Sequence, residues 1–202
     1  MITIIDTELS NVSSVRNMLS RLRIASEITN DPSKIEKASK IILPGVGSFD
    51  AGMHKLKSLN LDKVLSEVVV EKKCPILGIC LGMQLMLQGS DEGVSEGLGW
   101  VAGRCLHFSN EDVDFIPNMG WCETLIKRKI PLFSGIGEVS RFYHVHSYYP
   151  QLKDKTNVIC ETLVDSFAFT SGFQLENIYG LQFHPEKSNK NGFILLSNFA
   201  KI

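Results

Sequence analysis

Residues 75–84 read Pro-Ile-Leu-Gly-Ile-Cys-Leu-Gly-Met-Gln, and the placement of Cys80 within them decides the fold. Pro75–Ile79 is a short unbroken apolar run of the length of a buried strand, and Leu81–Leu87 is predicted to be helical. Cys80 therefore sits at the junction, with Gly78 two residues before it and Gly82 two residues after. A residue on a sharp strand-to-helix turn projects its side chain above the sheet edge. The turn is crowded, so its neighbours at −2 and +2 must be small. The sulfur would stand at a helix N-terminus, where the macrodipole favours thiolate over thiol. The N–H of Leu81 would be free to bind a developing oxyanion. A lone G-x-C-x-G is equally compatible with a buried structural cysteine. The flanking strand and helix tip the reading toward a nucleophile.

The same alternation of strand and helix extends on both sides. Ile2–Ile5 is a buried-strand run, followed by Val12, Val15, Met18, Leu19 and Leu22 on one helical face. A weak strand follows around Ala25–Thr29. Asp31 and Pro32 then open a helix as N-cap and first-turn residue. Lys40–Leu43 is a strand that stops at PGVGSFDAG, and LDKVLSEVVVEKK (61–73) is apolar at helical spacing. This order predicts an α/β protein whose mostly parallel sheet is covered on both faces. The second half changes character. Trp100–Phe108, Arg141–Tyr149, Asn157–Thr162, Ser166–Thr170 and Ile178–Phe183 are short β-rich pieces, expected to form an antiparallel extension. NGFILLSNFAKI (191–202) reads as a terminal helix. With 202 residues and no visible linker or repeat, residues 1–202 are expected to form a single domain.

Composition narrows the function. A formal net charge of −1 offers no electrostatic reason to expect nucleic acid or an anionic membrane as partner. No apolar stretch approaches a membrane span of ~20 residues. The N-terminus lacks the basic segment of a secretory signal. The five cysteines are odd in number and the chain is not small, which argues against a disulfide framework and for free thiols in a reducing cytoplasm. No metal site is expected, since no cysteine lies in a CxxC pair or near a histidine at zinc-ligand spacing. Cys74 and Cys105 read as small core residues. Trp121 reads equally as a partner anchor or a core residue.

A thiol nucleophile needs a base, and the base needs an orienting group. Of five histidines, His54 falls on a polar helical stretch, His107 has no nearby partner, and His144 and His146 alternate along a strand. His184 directly follows a hydrophobic strand in YGLQFHPEKS, with Glu186 two residues on and the stiffening Pro185 between them. Positions i and i+2 of an extended segment point the same way, so one strand end can present imidazole and carboxylate together. LPGVGSF (43–49) also follows a strand, which in a parallel sheet brings it to the same carboxyl edge as Cys80. Gly45 and Gly47 let backbone N–H groups of this loop turn toward a ligand, so a second oxyanion donor is expected here, from Val46 or Gly47. It is not a phosphate loop, since the G-K-[ST] ending is absent.

LPGVGSF, GICLGMQ and QFHPEKS, in that order, resemble the class I (triad) glutamine amidotransferases. PNMGW (117–121), HSYY (146–149) and Gly192 after FHPEKS make the chain more similar still to the glutaminase subunits of imidazole glycerol phosphate synthases. The resemblance implies a flavodoxin-like three-layer fold, no cofactor, and glutamine hydrolysis. It implies Cys80 as nucleophile, His184 as general base and acid, and Glu186 as its orienting carboxylate. Gln84, Ser147, Tyr148 and Gly45 would hold glutamine. Leu81 with Val46 or Gly47 would form the oxyanion hole. Asn11, Met119, Trp121 and Lys187 would face a synthase/cyclase partner of TIM-barrel type in a heterodimer.

One stretch departs from the pattern. The family opens with D-Y-G-x-G-N after its first strand, whereas this chain reads Asp6-Thr7-Glu8-Leu9-Ser10-Asn11. Loss of both glycines removes freedom for positive φ beside the expected partner face. The departure leaves the triad untouched and bears on the ammonia acceptor. The alternative acceptor is a surface-polysaccharide sugar acid. A non-catalytic regulatory subunit is the other alternative, and the joint presence of Cys80, His184 and Glu186 argues against it.

Overall fold

The structure, a computed structural model, describes residues 1–202. Eleven strands form in chain order: β1 (Ile2–Ile5), β2 (Ser26–Thr29), β3 (Ile41–Gly45), β4 (Ile76–Cys80), β5 (Gly103–His107), β6 (Asn118–Ile126), β7 (Val139–His146), β8 (Tyr148–Leu152), β9 (Val158–Val164), β10 (Phe167–Leu175) and β11 (Ile178–Leu181). Helices α1 (Val12–Arg21), α2 (Pro32–Ile35), α3 (Phe49–Ser58), α4 (Leu61–Ser66), α5 (Leu81–Gln84) and α6 (Asn189–Lys201) connect or flank them. Nine strands make one sheet in the order β2-β1-β3-β4-β11-β10-β9-β6-β7, and β5 pairs with β8 apart from it. From β2 to β11 every pairing is parallel. From β11 to β7 every pairing is antiparallel. The expected α/β layering and antiparallel extension are both present.

The parallel strands are buried on both faces, and their side chains divide between two cores by the period of two. Ile41, Leu43 and Ile76 join Phe49, Leu56 and Leu65 of α3 and α4 on one face. Ile42, Leu77 and Ile79 join Leu19 of α1 with Leu195 and Phe199 of α6 on the other. Continuous apolar runs such as Ile76–Ile79 follow directly, because neither side of the strand meets water. No helix is long and apolar enough to cross a membrane.

Some elements differ from the sequence expectation. The helix predicted over 81–87 is the single turn of α5. Its end is closed by the Leu87 N–H donating to the Gln84 carbonyl, and Leu85, Met86 and Leu87 enter the core as a turn. The helix opened by Asp31 is also only four residues, although its cap forms as expected, with the Ser33 N–H donating to the Asp31 carboxylate at 2.9 Å. The helix through 61–73 changes pitch midway, and Glu67–Glu71 run as a π-helical turn.

Candidate active site

Register brings the pieces of the site together. Gly45 at the end of β3 is paired with Cys80 at the end of β4, and β11 runs parallel beside β4 with Leu181 opposite Ile79. The three segments leaving these strands therefore emerge at one edge of the sheet. Cys80 adopts φ 54°, ψ −116°, a conformation that L-residues rarely occupy. Strain of this kind persists only where the surroundings enforce it. Here the two glycines do so. A methyl group at Gly82 would lie 1.8 Å from the Leu43 carbonyl oxygen, and one at Gly78 would lie 2.7 Å from the Met83 Cα. The flanking glycines are thus small because β3 and α5 close on the turn from either side.

Beyond the turn is a cavity of about 370 Å³ lined by Val46, Gly47, Cys80, Leu81, Gln84 and Glu92 on one side. Its other side is formed by Pro117, Val145, His146, Ser147, Tyr148 and His184. A larger concavity of about 620 Å³ over β8, β9 and β10 contains none of the reactive groups. Of the residues expected around a substrate, Gln84, Ser147 and Tyr148 line the smaller cavity, as do Leu81, Val46 and Gly47. Gly45 does not. It packs against the turn instead, where a methyl group would lie 2.7 Å from the Gly82 nitrogen. Gly47 holds φ 101° and Val46 is exposed, so the loop stands away from the protein body.

His184 is buried, and its Nδ1 lies 2.7 Å from Glu186 Oε1. The pairing forms through a tight 3₁₀ turn over Pro185–Lys187 rather than an extended segment. Ser188 fixes the ring's backbone. Its hydroxyl donates to the His184 carbonyl at 2.6 Å and accepts from the Tyr143 N–H at 3.0 Å. The His184 N–H donates to the Tyr143 carbonyl. Burial, the largest single influence on this imidazole, lowers its pKa. The neighbouring Cys80 sulfur and the Glu186 carboxylate together outweigh it and push the value up to about 10. His184 Nε2 is buried without a hydrogen-bond partner, as is Glu186 Oε2. The imidazolium is thus anchored on one edge, with a proton on the other edge available to a reactant.

Two groups that sequence reasoning overlooked belong to the site. Glu92 lines the cavity and accepts the Phe49 N–H at 2.7 Å, capping α3 where Ser48 does not. It thereby ties the 89–99 loop to the segment that carries Val46 and Gly47. Gln182, fully buried, lies between Gln84 and Cys80, with side-chain contacts of 3.0 and 3.7 Å. The alternation of His144 and His146 brings both rings to one buried face, 3.0 Å apart at Nδ1 and Nε2. Burial lowers both pKa values, that of His146 to about 3. The remaining expected residues, Asn11, Met119, Trp121 and Lys187, are all exposed. Trp121 meets Tyr143 edge-on, and the Lys187 ammonium stands over the same Tyr143 ring. Cys74, Cys105 and Cys160 are buried, and burial raises their thiol pKa values.

The comparisons agree with one another. The family described as glutamine amidotransferase class-I matches residues 3–201. The chain is 47% identical over 201 residues to imidazole glycerol phosphate synthase subunit HisH 2 of Methanococcus maripaludis, covering 100% of this chain and 99% of that one. It is 42% identical over 202 residues to the Pseudomonas aeruginosa protein of the same name, covering all of both. Among solved structures, PurLQS from Thermotoga maritima superposes with a TM-score of 0.75 over 99% of this chain and 97% of that one, at 18% identity. A structure described as a glutamine amidotransferase gives 0.74 over 100% and 99%, at 15% identity. At such low identity these structures speak for the fold alone. The full-length matches in sequence speak for the family, and the chain belongs to the class-I glutamine amidotransferases.

Proposed function

We propose that this chain is the glutaminase subunit of an imidazole glycerol phosphate synthase, hydrolysing L-glutamine to glutamate and ammonia for a synthase partner. The observation that carries the reading is the cavity at the sheet edge. It is lined by a strained cysteine and by a buried imidazole anchored to a carboxylate.

Cys80 attacks the side-chain amide carbon of glutamine, and the carbonyl oxygen takes up negative charge. The Leu81 N–H at the first turn of α5 meets that oxygen, with an N–H from Val46 or Gly47 as its second donor. One such donor is worth on the order of 10²–10³ in rate. His184, held as imidazolium, gives its Nε2 proton to the departing nitrogen and ammonia leaves. Water then attacks the glutamyl thioester while His184 takes its proton, and the carbon–sulfur bond breaks to return the thiolate. Glu186 keeps the ring oriented through both transfers. Glu92 supplies the charge that suits the substrate's α-ammonium group, while Gln84, Ser147 and Tyr148 line the remaining wall.

Ammonia released into water is protonated and lost as a nucleophile, so the partner must seat over the cavity mouth. Met119, Trp121, Lys187 and Asn11 are the residues proposed to meet it, and a TIM-barrel synthase in a heterodimer is the proposed form. The chain's departure at Thr7–Ser10 favours a second reading, in which the ammonia amidates a surface sugar acid. Co-purification of the native complex separates the two by the identity of the second chain. Cys80→Ala tests the shared chemistry. It should abolish glutamine-dependent synthesis by the complex and spare synthesis driven by added ammonium salt, and equal loss of both would contradict the assignment.

A further inference from the structure

The buried amide of Gln182 has an orientation that its neighbours dictate. The Tyr148 carbonyl can only accept hydrogen bonds, and it accepts from Gln84 Nε2 at 3.3 Å and from His146 Nδ1 at 2.9 Å. The Gln84 side chain therefore turns its nitrogen inward. A primary amide nitrogen carries two protons, and the second reaches Gln182 Oε1 at 3.0 Å. With its oxygen committed to Gln84, Gln182 must present its own amino group to the remaining neighbour, the Cys80 sulfur, 3.7 Å away. The Gln182 N–H donates to the Ser171 carbonyl, which holds the residue on its strand end, and no part of the side chain reaches solvent.

A buried primary amide whose only acceptor is a sulfur is costly to desolvate unless that sulfur carries charge, because a neutral sulfur accepts weakly. We propose that Gln182 is a catalytic residue of the hydrolysis, donating an N–H to the Cys80 thiolate, with its aim fixed by the chain Tyr148 carbonyl to Gln84 to Gln182. The inference rests on Cys80 being the nucleophile. The sulfur carries negative charge as it attacks and again when it is expelled from the thioester. Between those points, bonded to the glutamyl carbon, it is neutral. A donor at the sulfur therefore favours the attacking thiolate and eases the final step, in which water has added to the thioester carbon, the carbon–sulfur bond breaks and the electron pair returns to sulfur. Gln84 lines the cavity wall and Gln182 does not, so the same amide chain links the pocket surface to the nucleophile behind it.

The test is alkylation of Cys80 in the full-length chain by iodoacetamide at neutral pH, read as modified Cys80 peptide over time. Gln182→Met removes the donor and keeps the volume. It should lower the thermal midpoint modestly, since Gln84 loses an acceptor, while the chain still unfolds in one transition, and it should slow Cys80 modification about tenfold, the scale of one hydrogen bond to a charged group. A folded Gln182→Met protein alkylated within about twofold of the wild-type rate overturns the proposal, since loss of a charged hydrogen bond exceeds that. Should Gln182→Met fail to fold, Gln84→Met is read in its place. It keeps Gln182 but releases its aim, so several-fold slower alkylation supports the proposal and an unchanged rate overturns it. Labelling the wild-type chain with a diazoketone analogue of glutamine separates this outcome from failure of the nucleophile assignment. Label on another cysteine rejects the assignment of Cys80 itself. Label on Cys80 with an indifferent Gln182→Met rejects only the role of Gln182.

Discussion

Nδ1 of His184 lies 2.7 Å from Oε1 of Glu186, and Nε2 on the opposite edge of the ring makes no hydrogen bond. One edge of the imidazole is thus fixed and the other is left for the reaction. Glu186→Gln keeps the size of the side chain and removes the charge. Glutamate release from glutamine should fall on the order of 10²-fold, the lower end of what a positioned acid–base group contributes. An unaltered rate of glutamate release would remove Glu186 from the mechanism.

The buried histidines shape the pH dependence of stability with opposite signs. His184 is raised to about 10 in the fold, from an ordinary value of 6.5. Its contribution is complete below 6.5 and is lost as pH rises toward 10, because the folded chain then holds a proton that the unfolded chain has released. His146 is lowered to about 3, so its contribution is present above 6.5 and is lost as pH falls toward 3. Stability measured by denaturant unfolding across this range should peak near 6.5. Glu186→Gln should flatten the alkaline limb only.

Gly82 faces the Leu43 carbonyl at a distance that no methyl group can share. Gly82→Ala forces β3 and α5 apart and should cost about 3 kcal/mol, the upper range for overpacking a tight core. Urea titration of the purified variant reads the loss. A cost near zero would mean that the turn at Cys80 is not closed in the way described.

Glu92→Gln separates the two tasks of that residue. The amide oxygen still caps the Phe49 N–H, so α3 should remain in place, while the negative charge beside the cavity is gone. KM for glutamine should rise about tenfold, consistent with loss of one charged hydrogen bond, with kcat changed far less. Synthesis from ammonium salt by the complex should be unaffected. An unchanged KM would free Glu92 from any role toward the substrate.

The parallel half of the fold was legible because its chemistry is local. Ile76–Ile79 is apolar throughout and Ile2–Ile5 interrupts its isoleucines only with the buried Thr3, a composition suited to strands covered on both faces. β6 escaped the sequence reading because its pattern is inverted. Met119, Trp121 and Leu125 point outward, while Asn118 and Thr124 are buried. Thr124 satisfies itself against Thr162 on β9, residues 38 apart, at 2.8 Å. No window of neighbouring residues contains that partner.

Cys80 between two glycines, His184 two residues before Glu186, and a glycine loop after a strand are statements about covalent neighbours, and the order of residues alone specifies them. Their meeting was determined by it only in outline, through the rule that parallel strands end at a common edge. Tertiary structure alone decided that Glu92 closes the cavity, that Gly45 packs rather than lines it, and that Gln182 turns its amide to the sulfur. Each of these depends on a distance between segments 36 to 102 residues apart. Such distances arise from packing and hydrogen-bond satisfaction in the folded interior, and no local pattern of residue types encodes them.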